Sequence, residues 1–508
     1  MQQPVSISSG KQLKGSKLVY LSLLLALLNI QLLIVSARIN GNIPNDWIER
    51  SSQGNLIYVD KEPLDKNYLP SISNGYLGTV LDSDNIFVGG VYVGEFIVFE
   101  KLIGFHSKRA RIPATQKIVP KNCETIGSAL DIERAMYLRR FQLDKAQIEQ
   151  RWFAHRGLRS LLVHQINVNA TRSVGLVNLQ LENLPSPKSE DISFEQVNCP
   201  HSSSQSTCYV GELIRLETPD SDRIKVAVVT SQIPSSLQVE ASTDRTFTFL
   251  TSIRTTIDSS DPLMDASIDF IRGLSMDPKL LLSNHTMEWA KLWQSGYELG
   301  GNLDLAIKMN TTLYYMLSST RKDYVWGISP GGIATNSYNG LMFWDQECFV
   351  LPSLVYMYPE LAHGLIEYRF QRLKEALNHA IKYGYKGAMY PFQSGYSGRT
   401  VDLIALFNEL EQHITGDIAF ALQLYWQLTK DVDWLSSRGY PMAREIATFW
   451  ESRVTKEQNG MFSIKRVVGP DEFGIVSSPI TFIDLARDFL YILVWTMKFL
   501  PMQWLNFL

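Results

Sequence analysis

The apolar pattern of this chain changes period once, near residue 262, which commits it to a β-rich part followed by a helical part. Upstream lie short β-branched or aromatic runs: Leu56-Ile57-Tyr58-Val59, Ile86-Phe87-Val88, Val91-Tyr92-Val93, Ile224 to Val229 and Thr246-Phe247-Thr248-Phe249. Gly, Asn, Asp or Ser bound these runs, as turns bound strands. Many short strands in succession predict a sandwich, and no internal repeat is evident. Downstream, Leu303, Ile307, Asn310, Leu313, Tyr314 and Leu317 follow a helical stripe. Leu365, Ile366, Arg369, Leu373, Ala376 and Leu377 do the same within one stretch from Leu361 to Tyr383, and Ile418, Ala421, Leu422, Tyr425 and Trp426 within His413 to Thr429. These stripes are read as core. Met287 to Trp293 reads as the start of the helical part, linking it to the strands.

At 508 residues and 45% hydrophobic, the chain can bury a large core, and its length suggests about three domains. A net charge of −3 with no basic run gives no reason to invoke nucleic acid. No metal-ligand cluster and no phosphate-cradling glycine loop stands out, so neither a metal nor a cofactor is expected. Lys11, Lys14 and Lys17 precede an apolar run from Leu18 to Val35, which reads as an export signal. Either Val35-Ser36-Ala37 is a cleavage site, or residues 18–35 stay as a membrane anchor, since about 18 apolar residues just span a bilayer. Both readings send the folded part to the secretory pathway, as a secreted, lysosomal or anchored protein. Asn169, Asn284 and Asn310 each begin a glycosylation acceptor triplet, a short pattern that also arises by chance. Of the four cysteines, Cys199 and Cys208 flank a polar loop where a local disulfide is plausible. Cys348 is read as a small buried residue rather than a nucleophile.

Two stretches carry chemistry. In Gly340-Leu341-Met342-Phe343-Trp344-Asp345-Gln346-Glu347, a flat indole stands beside a carboxylate, a pairing that suits a sugar ring with C–H faces to stack and hydroxyls to bind. In Gly469-Pro470-Asp471-Glu472-Phe473, two acids follow a Gly-Pro turn, where one carboxyl could be desolvated enough to act as a general acid. Plainer readings stand beside both. Asp345 could cap a helix through Cys348 and Leu351, and Pro-Asp-Glu opens many ordinary helices.

Five ordered motifs resemble the catalytic domain of glycoside hydrolase family 65: Met342 to Gln346, Glu367-Tyr368-Arg369, Gly384 to Ala388, His413 to Asp417, and Pro470-Asp471-Glu472. Leu69-Pro70 and Ser73 to Thr79 resemble the opening of that family's N-terminal domain, so the resemblance covers roughly residues 55 to 475. The family holds acid trehalases, maltose and kojibiose phosphorylases, and the glucosidases that trim glucosylgalactosyl-hydroxylysine of collagen-type proteins; the last group fits best.

The resemblance implies a multidomain fold, an N-terminal β-sandwich followed by an (α/α)6 barrel catalytic domain, here truncated partway through the barrel. The expected boundaries are 1–37 for the signal or anchor, 38–261 for the sandwich, 262–300 for linker helices and 301–508 for the partial barrel. It implies Glu472 as the general acid and Trp344 and Asp345 as residues that hold glucose, with Asp471 shaping the turn. His413 is a further sugar contact or a buried, satisfied imidazole. Inverting hydrolysis also needs a base carboxylate, about 6.5–9.5 Å from the acid, and relatives supply it from well past the acid. Gln393 departs from close relatives, which often carry an acid there, and leaves substrate preference open. The readings are therefore removal of α-linked glucose from glucosylgalactosyl-hydroxylysine glycopeptide or disaccharide, trehalose hydrolysis, or, in another class, a truncated, non-catalytic carbohydrate-binding protein.

Overall fold

The runs at Leu56–Val59, Lys225 to Val229 and Thr246 to Phe249 fall in one nine-stranded antiparallel sheet, whereas Ile86–Val88 lies in a separate three-stranded sheet and Tyr92-Val93 in a two-stranded one. The strands of the nine-stranded sheet lie in the order Leu56–Val59, Glu124–Asp131, Met136–Leu143, Ala146–Ala154, Leu161–Asn169, Asp244–Thr255, Lys225–Ser231, Ser206–Leu213, Ile192–Val197. The computed structural model describes residues 43–59, 69–99, 102–184, 187–200, 206–401, 405–470 and 480–481. The pleat sends alternate side chains to opposite faces. On one face Phe141, Ile148, Ile166 and Phe249 meet Ile118, Leu179, Leu181 and Leu237 of a three-stranded sheet. On the other, Leu138, Phe153, Val163 and Leu250 meet Ala266, Phe270 and Leu281 of two helices.

Those helices, Pro262–Leu274 and Pro278–Leu292, start at the change of period near residue 262, ahead of Met287. The cause is local. Asp261 and Asp277 each cap the free N–H groups of a first turn that opens on Pro, whose fixed φ suits that position.

The Ser73 to Thr79 motif forms the joint between the two parts. Asn74 Oδ1 accepts from the amides of Tyr76 and Leu77, both at 3.0 Å, and its Nδ2 donates to the carbonyls of His155 and Arg159, both at 2.9 Å. The Asn74 carbonyl accepts from the buried guanidinium groups of Arg156 and Arg321, each at 3.0 Å. Gly75, at φ +83°, must be glycine, because a Cβ there would lie 2.4 Å from the Thr320 carbonyl.

Past the joint come helices Leu303–Ser319, Pro359–Gln371, Leu373–Lys382, His413–Thr429 and Tyr440–Arg453. Leu313, Leu365, Ile418 and Phe449 from these helices share one core with Tyr76, Tyr92 and Leu130 of the strands. The single stripe expected from Leu361 to Tyr383 divides at Arg372, whose φ of −104° and ψ of 8° leave the helical region. Tertiary contacts hold it there: its guanidinium lies 4.1 Å from the Tyr368 ring centre and 4.5 Å from that of Trp326, and donates to the Tyr396 carbonyl. Two short stretches, Gln346–Val350 and Leu435–Gly439, are π-helical, each with a residue more per turn than the α-helix it joins. Closure of a ring by these helices is not seen among the described residues.

The expectation of a membrane-anchored chain is corrected. Among the described residues no helix is long and apolar enough to cross a membrane. Residues 18–35, on which that expectation rested, lie outside the described residues, and the anchoring reading is withdrawn.

Candidate functional site

The segment that carries Trp344 is held from the strand side. Arg109, buried in the joint, donates from Nη1 to the carbonyls of Gly332, Ile333 and Thr335 at 3.0 to 3.2 Å and from Nη2 to that of Gly340 at 3.0 Å. The Tyr92 hydroxyl donates to the same Gly340 carbonyl. A two-way bridge then ties the backbone of Met342 to that of Ser394, at 2.9 and 3.2 Å, and the Phe343 and Phe392 rings meet edge-on beside it.

From there the chain divides its side chains between two tasks. Trp344 and Asp345 are partly open, whereas Gln346 and Glu347 are buried. Glu347 takes a two-pronged contact from Arg369, Nε to Oε1 at 2.8 Å and Nη2 to Oε2 at 2.9 Å, and Arg369 Nη2 also donates to the Phe343 carbonyl at 3.1 Å. Gln346 donates to Glu347 at 2.6 Å and accepts from the Ile328 amide at 3.0 Å. A buried fork of this kind fixes geometry more surely than it stabilises. The open pair therefore rides on a rigid base. Asp345 itself sits at helical φ and ψ, and its side chain makes no cap hydrogen bond, so the helix-capping reading is not what it does.

His413 is brought to the same place. It lies edge-on to the Trp344 indole, ring centres 5.3 Å apart at 88°. Its Nδ1 pairs with Asp417 Oδ2 at 2.6 Å, one helical turn on, while Glu411 Oε2 stands 3.7 Å from Nε2, beyond a hydrogen bond but close for charge attraction. Burial pulls the imidazole pKa down, but the Asp417 hydrogen bond and the two carboxylate charges win and raise it to about 9. His413 is thus a cation at neutral pH, positioned to support the indole. Cys348 is half-buried and free; burial and the nearby Asp417 push its thiol pKa well up, which is the opposite of an activated nucleophile.

Asp471 and Glu472 lie outside the described residues. The segment leading to them is tied at its end: the Val468 amide donates to the Leu410 carbonyl at 3.0 Å, and Arg453 reaches from Gln412 Oε1, at 2.6 Å, to the Arg466 carbonyl, at 3.2 Å. Gln393 is buried. Away from the site, Cys199 and Cys208 are bonded across the Ile192–Val197 and Ser206–Leu213 hairpin. Asn169 ends a strand and accepts from Thr171, whereas Asn284 and Asn310 sit within helices. Sequence reasoning gave no role to the Glu347–Arg369 fork or to Asp417. Spacing could have offered the second, since His413 and Asp417 are four apart in a helical stripe.

A model of the glycosyl hydrolase family 65 central catalytic domain matches residues 310–497, and a model of an uncharacterized conserved family matches 125–331. A protein-glucosylgalactosylhydroxylysine glucosidase of Dictyostelium discoideum is 34% identical over 446 residues, covering 85% of this chain and 62% of the relative. The chain belongs to glycoside hydrolase family 65. Within that family it is also 27% identical to a kojibiose hydrolase of Flavobacterium johnsoniae, over 82% of this chain and 65% of the relative. It therefore spans less than two thirds of the length of either relative. Among solved structures, a putative kojibiose phosphorylase from the human microbiome superposes with a TM-score of 0.71 at 17% identity, covering 87% of this chain and 65% of that one. That likeness establishes the family-65 fold for the strand and helix parts together.

Proposed function

We propose that this chain carries the glucose-binding part of an α-glucosidase that removes glucose from glucosylgalactosyl-hydroxylysine, with inversion. The observation that carries the reading is the partly open Trp344–Asp345 pair mounted on the buried Glu347–Arg369 fork. The indole would stack against a glucose face and Asp345 would bind its hydroxyls. The Glu472 carboxyl would give its proton to the glycosidic oxygen as the C1–O bond breaks. A second carboxylate would take a proton from water as that water attacks C1 from the opposite face. The similarity to protein-glucosylgalactosylhydroxylysine glucosidases of Dictyostelium, chicken and mouse supports this substrate over trehalose. We further infer that the helices from Leu303 onward belong to an (α/α)6 barrel that follows a β-sandwich.

The test is glucose release by the purified chain from glucosylgalactosyl-hydroxylysine, kojibiose and trehalose, beside Glu472→Gln. Release from the first sugar, reduced by a factor on the order of 10² or more in the variant, is the expected result. Equal rates in the variant would remove Glu472 from its role. Sugar binding with no release from any of the three would leave a binding protein.

A further inference from the structure

We propose that Glu217, contributed by the strand part, is a positioning residue for the Trp344–Asp345 platform, acting through residues 394–397. This rests on the reading of that platform as the glucose site. Glu217 lies in the connection between strands Ser206–Leu213 and Lys225–Ser231, and it is 1% exposed. Its carboxylate points away from its own sheet into the helical part. Oε1 accepts from the Tyr396 amide at 2.8 Å and the Ser107 hydroxyl at 3.0 Å, and Oε2 accepts from the Ser397 amide at 2.5 Å. Two successive backbone N–H groups on one buried carboxylate fix both the place and the orientation of a peptide. The approach is close: a Cβ on Gly395 would lie 2.1 Å from Glu217 Oε1 and would push the carboxylate off the amides it holds.

The same connection is itself held at both ends. Arg215 Nε donates to the Gly94 carbonyl at 2.8 Å, and a Cβ on Gly94 would lie 2.1 Å from the Leu216 carbonyl. Beyond Glu217, Asp222 accepts from the Tyr396 hydroxyl at 2.7 Å and Asp220 from Arg399 at 2.6 Å. From the far side, the Tyr368 hydroxyl donates to the Gly395 carbonyl at 2.7 Å. The clamped segment continues directly into Ser394, whose backbone bridges Met342, two residues before Trp344. A fixed carboxylate on the strand part thus sets the height of the peptide on which the platform rests. No motif of the sequence marks Glu217, because its partners are backbone amides far along the chain.

The experiment pairs amide hydrogen exchange with kinetics for Glu217→Gln, well below its unfolding temperature. A neutral amide keeps one acceptor oxygen and loses the charge, so Tyr396 and Ser397 should exchange roughly tenfold faster. The decisive amides are those of Met342 and Ser394, which should also speed up by at least a few-fold. KM for glucosylgalactosyl-hydroxylysine should rise about tenfold with kcat changed far less, because a loosened platform weakens ground-state and transition-state binding alike. Faster exchange confined to Tyr396 and Ser397, or an unchanged KM, would overturn the proposal and leave Glu217 a stabilising residue only. If Glu217→Gln fails to fold, Ser107→Ala removes one of the three donors, and the same pattern at smaller size decides between the same outcomes. A wild-type chain that releases no glucose would sink the functional reading, and the exchange at Met342 and Ser394 would then decide the role of Glu217 alone.

Discussion

Glu347 and Arg369 are both 2% exposed, and removing one partner strands the other charge in the core. Glu347→Gln should therefore cost about 3–5 kcal/mol of stability, measured by urea unfolding, whereas replacing both partners with apolar residues of similar size should cost far less. His413 gives a second prediction with a definite sign. Its pKa is raised from 6.5 to about 9 in the folded chain, so its contribution to stability is full below 6.5 and is lost as pH rises through 9. Asp417→Asn removes the Nδ1 partner and should bring the imidazole titration down toward its ordinary value, read by NMR of the ring protons. At this scale the sequence singles out Trp344 and Asp345 only as an indole beside a carboxylate. Their supports were not legible, because Glu347 meets Arg369 across 22 residues and Glu217 meets Tyr396 across 179, separations that carry no local signal.

Elements were legible where one local cause decides them. Helix His413–Thr429 has the limits that its stripe predicts. The start at Pro262 falls where the apolar period changes, and the Asp-Pro pairs add the capping signal that fixes it. The break at Arg372 was not legible, since rings and a carbonyl from other elements impose it. Glycine in the Gly384 to Ala388 motif has a similar tertiary cause. Gly387 sits at φ +73°, and a Cβ there would lie 2.2 Å from the Glu445 carbonyl and 2.3 Å from the Phe449 amide of helix Tyr440–Arg453. Gly387→Ala should therefore cost at least about 1–3 kcal/mol and lower Tm, with the helix displaced. In the strand part, the Cys199–Cys208 bond closes a short loop, with a sequence separation of 9. Replacing both by Ser should cost about 2–3 kcal/mol on the loop-entropy account, measured by the shift in denaturation midpoint.

Four buried histidines spread over the molecule give it a common acid response. Burial lowers His155 and His379 to about 4 and His164 and His285 to about 3, all from 6.5. Each is neutral in the folded chain, so below 6.5 the unfolded chain binds more protons. The stability they contribute is whole above pH 6.5 and falls as pH drops toward 3–4, at roughly 1 kcal/mol per pH unit for each. Urea midpoints should therefore decline steeply from pH 6.5 to 5, and a flat profile there would mean these rings are not buried as described. The two-part architecture was legible in the sequence as a change of period, but the shared core that joins the parts was not, since Tyr92 meets the helices only in three dimensions. One turn of that helical part has a consequence for descent as well as for form. The π turn at Gln346–Val350 holds a single residue beyond what an α-helix needs. Losing that residue would leave a sound helix downstream and rotate what precedes it by about 100°, one residue's step around an α-helix. The indole and its neighbouring carboxylate would swing out of register with His413 and the Met342–Ser394 bridge. Loss of one codon can thus change the phase of the Trp344–Asp345 pair while every other residue of the chain stays as it is.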